Sequence, residues 1–327
     1  MLSHIMFWRT TTADSWWSPV ATTSTWNPSF NGLKRELRHT KVENNYSCNY
    51  ETMSQTPLKI DVKQVIAAKS PSLAKKLPGF VINRIKKLVH QDEINEILAL
   101  YGDYEGVEFA THALAHLGIT YTPHGMEKID PSGRYIFVSN HPLGGLDGSV
   151  LIALIGKIFP DIKFVVNDFL MHVKPFESLF IPVNKVGKMS REYAQLINDT
   201  YSSESQILYF PAGLCSRKIK GKITDPQWQT NFLKKAITHK RDIVPIYFSG
   251  RNSNFFYTLA KVRKFLGIKF NIEMLFLPNE LFKQKNSSFQ IRFGDPIPIE
   301  SITPEKSLRE WTDIIREKAY EANNPTG

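Results

Sequence analysis

Cysteine is nearly missing from this chain: Cys48 and Cys215 are the only two in 327 residues. They lie far apart and form no framework, which suits a reducing compartment and leaves the fold to its core. No apolar run approaches the roughly 20 residues that cross a bilayer. The longest uncharged one is residues 148–156, so no transmembrane helix is expected. The opening MLSHIMFWRT lacks the apolar core of a secretory signal, and export is not expected. Zinc-finger spacing, an RNP-like aromatic motif and basic-region heptads are all missing, so no nucleic-acid partner is expected and only charge speaks for one. A hydrolase finds no Gly-x-Ser-x-Gly elbow.

What is present is a chain 42% hydrophobic and 12% aromatic, enough to bury one large core, with or without an added helical piece. The formal charge of +10 favours an anionic surface or an acidic carrier protein. Residues 1–52 are rich in Thr, Ser and Asn, carry Trp8, Trp16, Trp17 and Trp26, and show no period. A disordered extension is expected there, with the natural start at Met53; the rival reading seats the tryptophans at a membrane interface.

Residues 53–125 read as a basic amphipathic helical cap. Between Val62 and Gln91 stand seven Lys or Arg residues and no acid. Val81, Ile82, Ile85, Leu88 and Val89 follow helical spacing, with Arg84, Lys86 and Lys87 mostly opposite. Such a helix either lies in a lipid headgroup layer or packs on the core as a surface helix. His112 and His116 share a helical face, but no glutamate or third ligand accompanies them, and no metal is expected.

From Gly133 onward, apolar β-type runs at 135–138, 163–166, 180–183, 207–210, 243–248 and 289–293 alternate with helical stretches. That alternation predicts an α/β fold: a mixed, largely parallel sheet flanked by helices, with an N-terminal helical cap. Pro245 suggests that its run is an edge strand or only begins there. A last helix is expected over residues 304–323.

The run at 135–138 delivers Asn140 and His141 to a Pro/Gly-rich turn, and Asp147 follows before the next apolar segment. A histidine at such a strand end can take a proton from an alcohol if a carboxylate holds its other ring nitrogen. The plainer alternative is a capped turn, with Asp147 bonding the first amides of a helix and His141 merely packed.

NHPLGGLDG resembles the first block of the glycerolipid (lysophospholipid) acyltransferase superfamily, the PlsC-like proteins, whose signature is Asn-His-x4-Asp. Five residues separate His141 from Asp147 here, a spacing similar to that of a bacterial, hemolysin-labelled branch, and Gly144 and Gly145 can absorb the additional residue. Further blocks follow in the order of that family over about residues 130–300 of this sequence, within a domain expected over 126–327. In PFESLFIPVNKVGK, Asn184 and Lys185 stand where the family holds an acceptor headgroup, with Lys188 and Arg191 nearby. In LYFPAGLCSRK, Pro211 and Gly213 shape a turn, Ser216, Arg217 and Lys218 are placed for an acceptor, and Ala212 replaces the family's usual glutamate. Cys215 has no His beside it in sequence and is taken as structural. IVPIYFSGRNS brings Gly250, Arg251 and Asn252 to another turn, and IRFGDPIP supports the fold.

The resemblance implies transfer of a fatty acyl group from an acyl carrier protein or coenzyme A thioester to the hydroxyl of a lyso-lipid. His141 would be the general base and Asp147 its orienting acid, with no cofactor and no metal. It implies a protein peripheral on the cytoplasmic face of an anionic membrane. Amino-acid lipids, lyso-ornithine or lyso-glycine, are the first expected acceptors and lysophosphatidic acid the second. A non-catalytic lipid-binding homologue is the other reading.

Overall fold

The computed structural model describes residues 58–167, 173–183 and 191–323. The expectations for residues 1–52 and Met53, and for Asn184, Lys185 and Lys188, lie outside the described residues.

Asp61 opens the first helix by accepting from the amides of Lys63 and Gln64, a side-chain N-cap. Proline punctuates the N-terminal helices: α1 is Val62–Lys69, α2 starts on Pro71 (Pro71–Lys76), and α3 (Gly79–Leu88) follows Pro78, where no amide donor is needed. On α3 Ile82 is buried, Val81, Ile85 and Leu88 are half-buried, and Phe80 is exposed. Helices α4 (Gln91–Tyr101) and α5 (Gly106–His116) then bury Ile97, Leu98, Phe109 and Leu114 in the same core as the sheet. The His112 ring stacks on Tyr101 and on Tyr104.

The remaining elements are β1 (Thr120–His124), β2 (Tyr135–Ser139), α6 (Gly145–Ile155), β3 (Ile162–Asn167), β4 (Phe180–Val183), α7 (Arg191–Ser202), β5 (Gln206–Tyr209), β6 (Arg217–Ile219), β7 (Lys222–Thr224), α8 (Asn231–His239), β8 (Asp242–Phe248), α9 (Asn254–Phe265), α10 (Leu277–Phe282), β9 (Ser288–Phe293) and α11 (Leu308–Glu321). Seven strands form one sheet in the order β1-β9-β8-β2-β5-β3-β4. Strands β8, β2, β5, β3 and β4 are mutually parallel, while β9 runs antiparallel to β8 with β1 parallel to it. The mixed, largely parallel α/β sheet expected from the sequence is therefore the one formed.

Central β2 is apolar at every position but its last because both its faces are covered. Tyr135 and Phe137 pack toward α5 and α6, whereas Ile136 and Val138 meet Trp228, Phe232 and Ile315 on the α8 and α11 side. Pro245 corrects an expectation: it is the fourth residue of β8, between β9 and β2, and not at an edge or strand start. Its missing donor falls where β9 breaks its pairing, between the Ile243 bridge to Ile297 and the ladder that begins at Ile246 and Phe293. Its carbonyl still accepts from the Gly294 amide at 2.8 Å.

At the opposite end of the strands from the glycine turn, fully buried Arg241 donates to the carbonyls of Tyr201 and Ser205, each at 2.7 Å, and of Ser203. Burial pushes its pKa down to about 10. Arg241→Met leaves the Ser205 carbonyl without this donor and the Tyr201 and Ser203 carbonyls with Arg134 alone, at 3.5 and 3.1 Å. At about 1–3 kcal/mol for a buried unsatisfied group and for each hydrogen bond from a charged group lost, the expected loss is about 3 kcal/mol. Thermal unfolding should show a midpoint lowered by roughly 6–12 °C. A drop under about 2 °C would mean that the arginine is not holding the α7–β5 turn.

Candidate active site

The C-terminal ends of the adjacent strands β5, β2 and β8 converge on one edge of the sheet, where parallel α/β sheets form their crevices. Asn140 fastens two of these ends together. Its Nδ2 donates to the Phe248 carbonyl at 3.0 Å, and its Oδ1 accepts from the Phe248 amide at 2.7 Å. Both polar atoms of its side chain thus bond β8, so Asn140 fixes the β2 end against the β8 end.

The chain then turns through Pro142 and Leu143 into α6. Gly144 has φ of +89°, and a Cβ there would lie 3.1 Å from Leu277 and 3.4 Å from the Cys215 sulfur, so both conformation and space call for glycine. This turn lets the five-residue spacing close. Asp147, fully buried in the first turn of α6, places Oδ2 3.1 Å from His141 Nδ1 and accepts the Leu143 amide on the same oxygen at 2.9 Å. Its Oδ1 accepts from the Gly148 amide at 2.9 Å. One carboxylate thus holds the His141 ring, the turn at Leu143 and the Gly148 amide of α6.

His141 is pinned through its main chain. Its amide donates to Asp225 Oδ1 at 3.1 Å and its carbonyl accepts from the Ser216 amide at 2.7 Å. The ring stacks on Phe210 at 4.1 Å, and the side chain is 17% exposed. Burial disfavours the imidazolium. The Asp147 charge, then Cys215, and hydrogen bonds to both outweigh that penalty, so the pKa stands well above the usual imidazole value. The Cys215 sulfur, fully buried, lies beside Gly144 in the turn that follows His141. With Nδ1 committed to Asp147, Nε2 is the ring nitrogen left for a proton from outside the pair.

The His141 amide is held by a carboxylate that no sequence motif announces. Buried Asp225 accepts from Ser216 Oγ at 2.5 Å and from Trp228 Nε1 at 2.9 Å, besides the His141 amide. Burial raises its pKa, and those hydrogen bonds oppose the rise. Asp225 therefore joins the β5 turn to the β2 turn. It follows the β6–β7 hairpin, whose short polar strands carry no apolar run.

The other candidate residues divide by what their side chains already hold. Pro211 and Gly213 shape the β5 turn: the Pro211 carbonyl accepts from the Gln229 amide, and Gly213 has φ of +64°. Ala212 is buried in the apolar cluster with Trp228 and Phe232. Ser216 is buried against Asp225. Arg217 donates to the Cys215 carbonyl at 2.6 Å and to buried Glu273 at 3.0 Å, and lies over Phe256, which leaves it committed inside the protein. Arg251 is exposed at the rim and bonds Asn254. Asn252 donates to the Pro142 carbonyl at 3.1 Å, while its buried Oδ1 has no partner among the described residues. Gly145 faces Leu281. Leu277 and Leu281 thus roof the glycine turn, and they belong to a segment, residues 254–282, that no sequence motif singles out.

A family model described as Acyltransferase matches residues 64–326. The Lyso-glycine lipid O-acyltransferase of Bacteroides thetaiotaomicron is 42% identical over 262 residues, covering 80% of this chain and 96% of that protein. The Lyso-glycine lipid O-acyltransferase of Phocaeicola vulgatus is 38% identical over 262 residues, covering 80% and 94%. The crystal structure of the 1-acyl-sn-glycerophosphate (LPA) acyltransferase, PlsC, from Thermotoga maritima aligns with a TM-score of 0.43 at 16% identity, covering 81% of this chain and 95% of that chain.

Proposed function

The chain belongs to that acyltransferase family, and from this premise we propose that it moves a fatty acyl group from a thioester to the hydroxyl of a lyso-glycine lipid. The His141–Asp147 pair, 3.1 Å apart at the strand ends, is the observation that carries the reading, and the names of the two relatives support the acceptor. His141 Nε2 takes the hydroxyl proton as that oxygen attacks the thioester carbonyl. Asp147 holds the Nδ1 proton and stabilises the imidazolium, which then returns its proton to the departing thiolate. Amides at the start of α6 supply donors for the oxyanion. The donor is an acyl carrier protein or coenzyme A thioester, which the net positive charge suits.

The acceptor is a membrane lipid, and no helix among the described residues is long and apolar enough to cross a membrane. We place the protein peripherally on the cytoplasmic face. Incubation of purified protein with an acyl thioester and either lyso-glycine lipid or lysophosphatidic acid tests the acceptor. Faster acylation of the glycine lipid is expected, and a preference for lysophosphatidic acid would reassign it to the 1-acylglycerol-3-phosphate reaction.

The Cys215 sulfur beside Gly144 in the glycine turn admits a second route, in which the sulfur takes the acyl group before the lipid does. Direct transfer predicts that Cys215→Ala keeps activity within about tenfold, because the nucleophile comes from the substrate. A loss as large as that of His141→Ala, with no trapped acyl-protein in the alanine variant and one in the wild type, would establish the acyl-enzyme instead.

A further inference from the structure

Among the described residues, five of the twelve exposed large apolar side chains belong to one helix and the loop behind it, while the other seven are scattered over the remaining elements. On α9, Phe255 is 51% exposed, Val262 46% and Phe265 89%, followed by Leu266 at 61% and Ile268 at 38%. The spacing of Phe255, Val262, Phe265 and Leu266 gathers them on one side of the helix. Phe256, Tyr257 and Ala260 are buried on the other side. Exposed apolar side chains scattered singly need no explanation, but a contiguous group marks a contact surface.

Charge indicates what that contact is. Between Asn252 and Ile272 the sequence holds Lys261, Arg263, Lys264 and Lys269 and no acid. Arg263 is spoken for by buried Glu273 at 2.8 Å, which fixes the helix, while the three lysines are exposed. Apolar side chains flanked by lysines fit an anionic bilayer, the apolar group entering the interface and the ammonium groups meeting phosphate.

The same surface adjoins the site. Asn252, two residues before α9, holds the Pro142 carbonyl. Phe255 meets the Phe276 ring at 5.1 Å, and Leu277 covers Gly144. Phe276 also closes a groove of about 470 Å³ lined by Val81, Arg84, Ile85, Lys87 and Leu88 of α3. The stripe of α3, the sequence's candidate for the headgroup layer, is thus turned inward and half-buried, whereas that of α9 is not.

We propose that the outer face of α9 and its following loop, with Phe265 and Leu266 at the tip, dock the protein on anionic bilayers and set the glycine turn beside the lipid surface. This rests on the reading that the acceptor is a membrane lipid. The test is co-sedimentation of the full chain with phosphatidylcholine vesicles, with and without phosphatidylglycerol. A parallel assay follows acylation of detergent-dispersed lyso-glycine lipid. F265S/L266S should weaken binding to the anionic vesicles by about 100-fold while acylating the dispersed lipid at the wild-type rate. K261E/K264E should lose the preference for phosphatidylglycerol, and F80S on α3 should bind as wild type. Wild-type binding by F265S/L266S would overturn the proposal. So would a wild-type protein that ignores vesicles, or a dimer that F265S/L266S turns into monomers. If vesicle binding behaves as expected but no dispersed lyso-lipid is acylated by the wild type, the docking surface stands and the acyl-transfer reading falls.

Discussion

His141→Ala is expected to lower kcat for acyl transfer by about 10²–10⁴-fold, the usual worth of a positioned general base. The protein should remain folded, because the bonds that pin residue 141 run through its amide to Asp225 and its carbonyl from Ser216, and alanine keeps both. Asp147 retains the Leu143 and Gly148 amides as donors, so it is not left as a bare buried charge. What disappears is the imidazole over Phe210 and with it the proton acceptor on which the proposed reaction depends. KM for the lyso-lipid should change far less than kcat, since the ring contributes little to holding an acyl chain. An unchanged kcat would remove His141 from the chemistry.

Asp147→Asn should cost a comparable factor, about 10²–10⁴, and should also move the pH profile. A general base works only when neutral. In the wild type, burial opposes the imidazolium but the Asp147 charge wins, and the pKa lies well above the ordinary value. Activity of the free enzyme should therefore rise with pH through a midpoint above about 6.5. Removing the carboxylate's charge leaves burial dominant, so the rising limb of Asp147→Asn should shift toward acid while its plateau falls. Stability follows the same sign. A histidine whose folded pKa is raised stabilises the protein fully below its unfolded pKa of about 6.5 and loses that contribution as pH rises through the folded value. Asp147→Asn should accordingly be more destabilising at pH below about 6 than at alkaline pH. A limb that stays in place would show that Asp147 does not set the charge of His141.

The parallel core of this fold is legible in the sequence because strands covered on both faces must be apolar, as in residues 135–138 of β2. The elements that escape sequence reading lack that pressure. Edge strand β1, TYTPH, is mostly exposed or half-exposed, and β6 and β7 carry lysines on a hairpin of three-residue strands. Pro245 misleads because proline's missing donor excludes it from a continuous ladder, and no local signal reveals that β9 interrupts its pairing there. The catalytic pair is visible for a related reason: His141 and Asp147 are six positions apart, so one turn must bring them together. Asp225 is 84 positions from His141, and the Cys215 sulfur comes beside Gly144 only because β5 is paired beside β2. Local pattern cannot report contacts made by strand order. The α9 stripe is present in the spacing of Phe255, Val262, Phe265 and Leu266, but periodicity alone does not tell a face that enters the core from one that leaves it.

Acyl transfer by the His141–Asp147 pair is read out most plainly in the lipid product. Purified wild type, His141→Ala and Asp147→Asn, each shown to be folded, should be given an acyl thioester and lyso-glycine lipid at one pH near 8, and the O-acylated lipid measured by mass spectrometry. Steady product is expected from the wild type and no more than about one hundredth as much from either variant. Equal product from all three would contradict a histidine base oriented by that carboxylate.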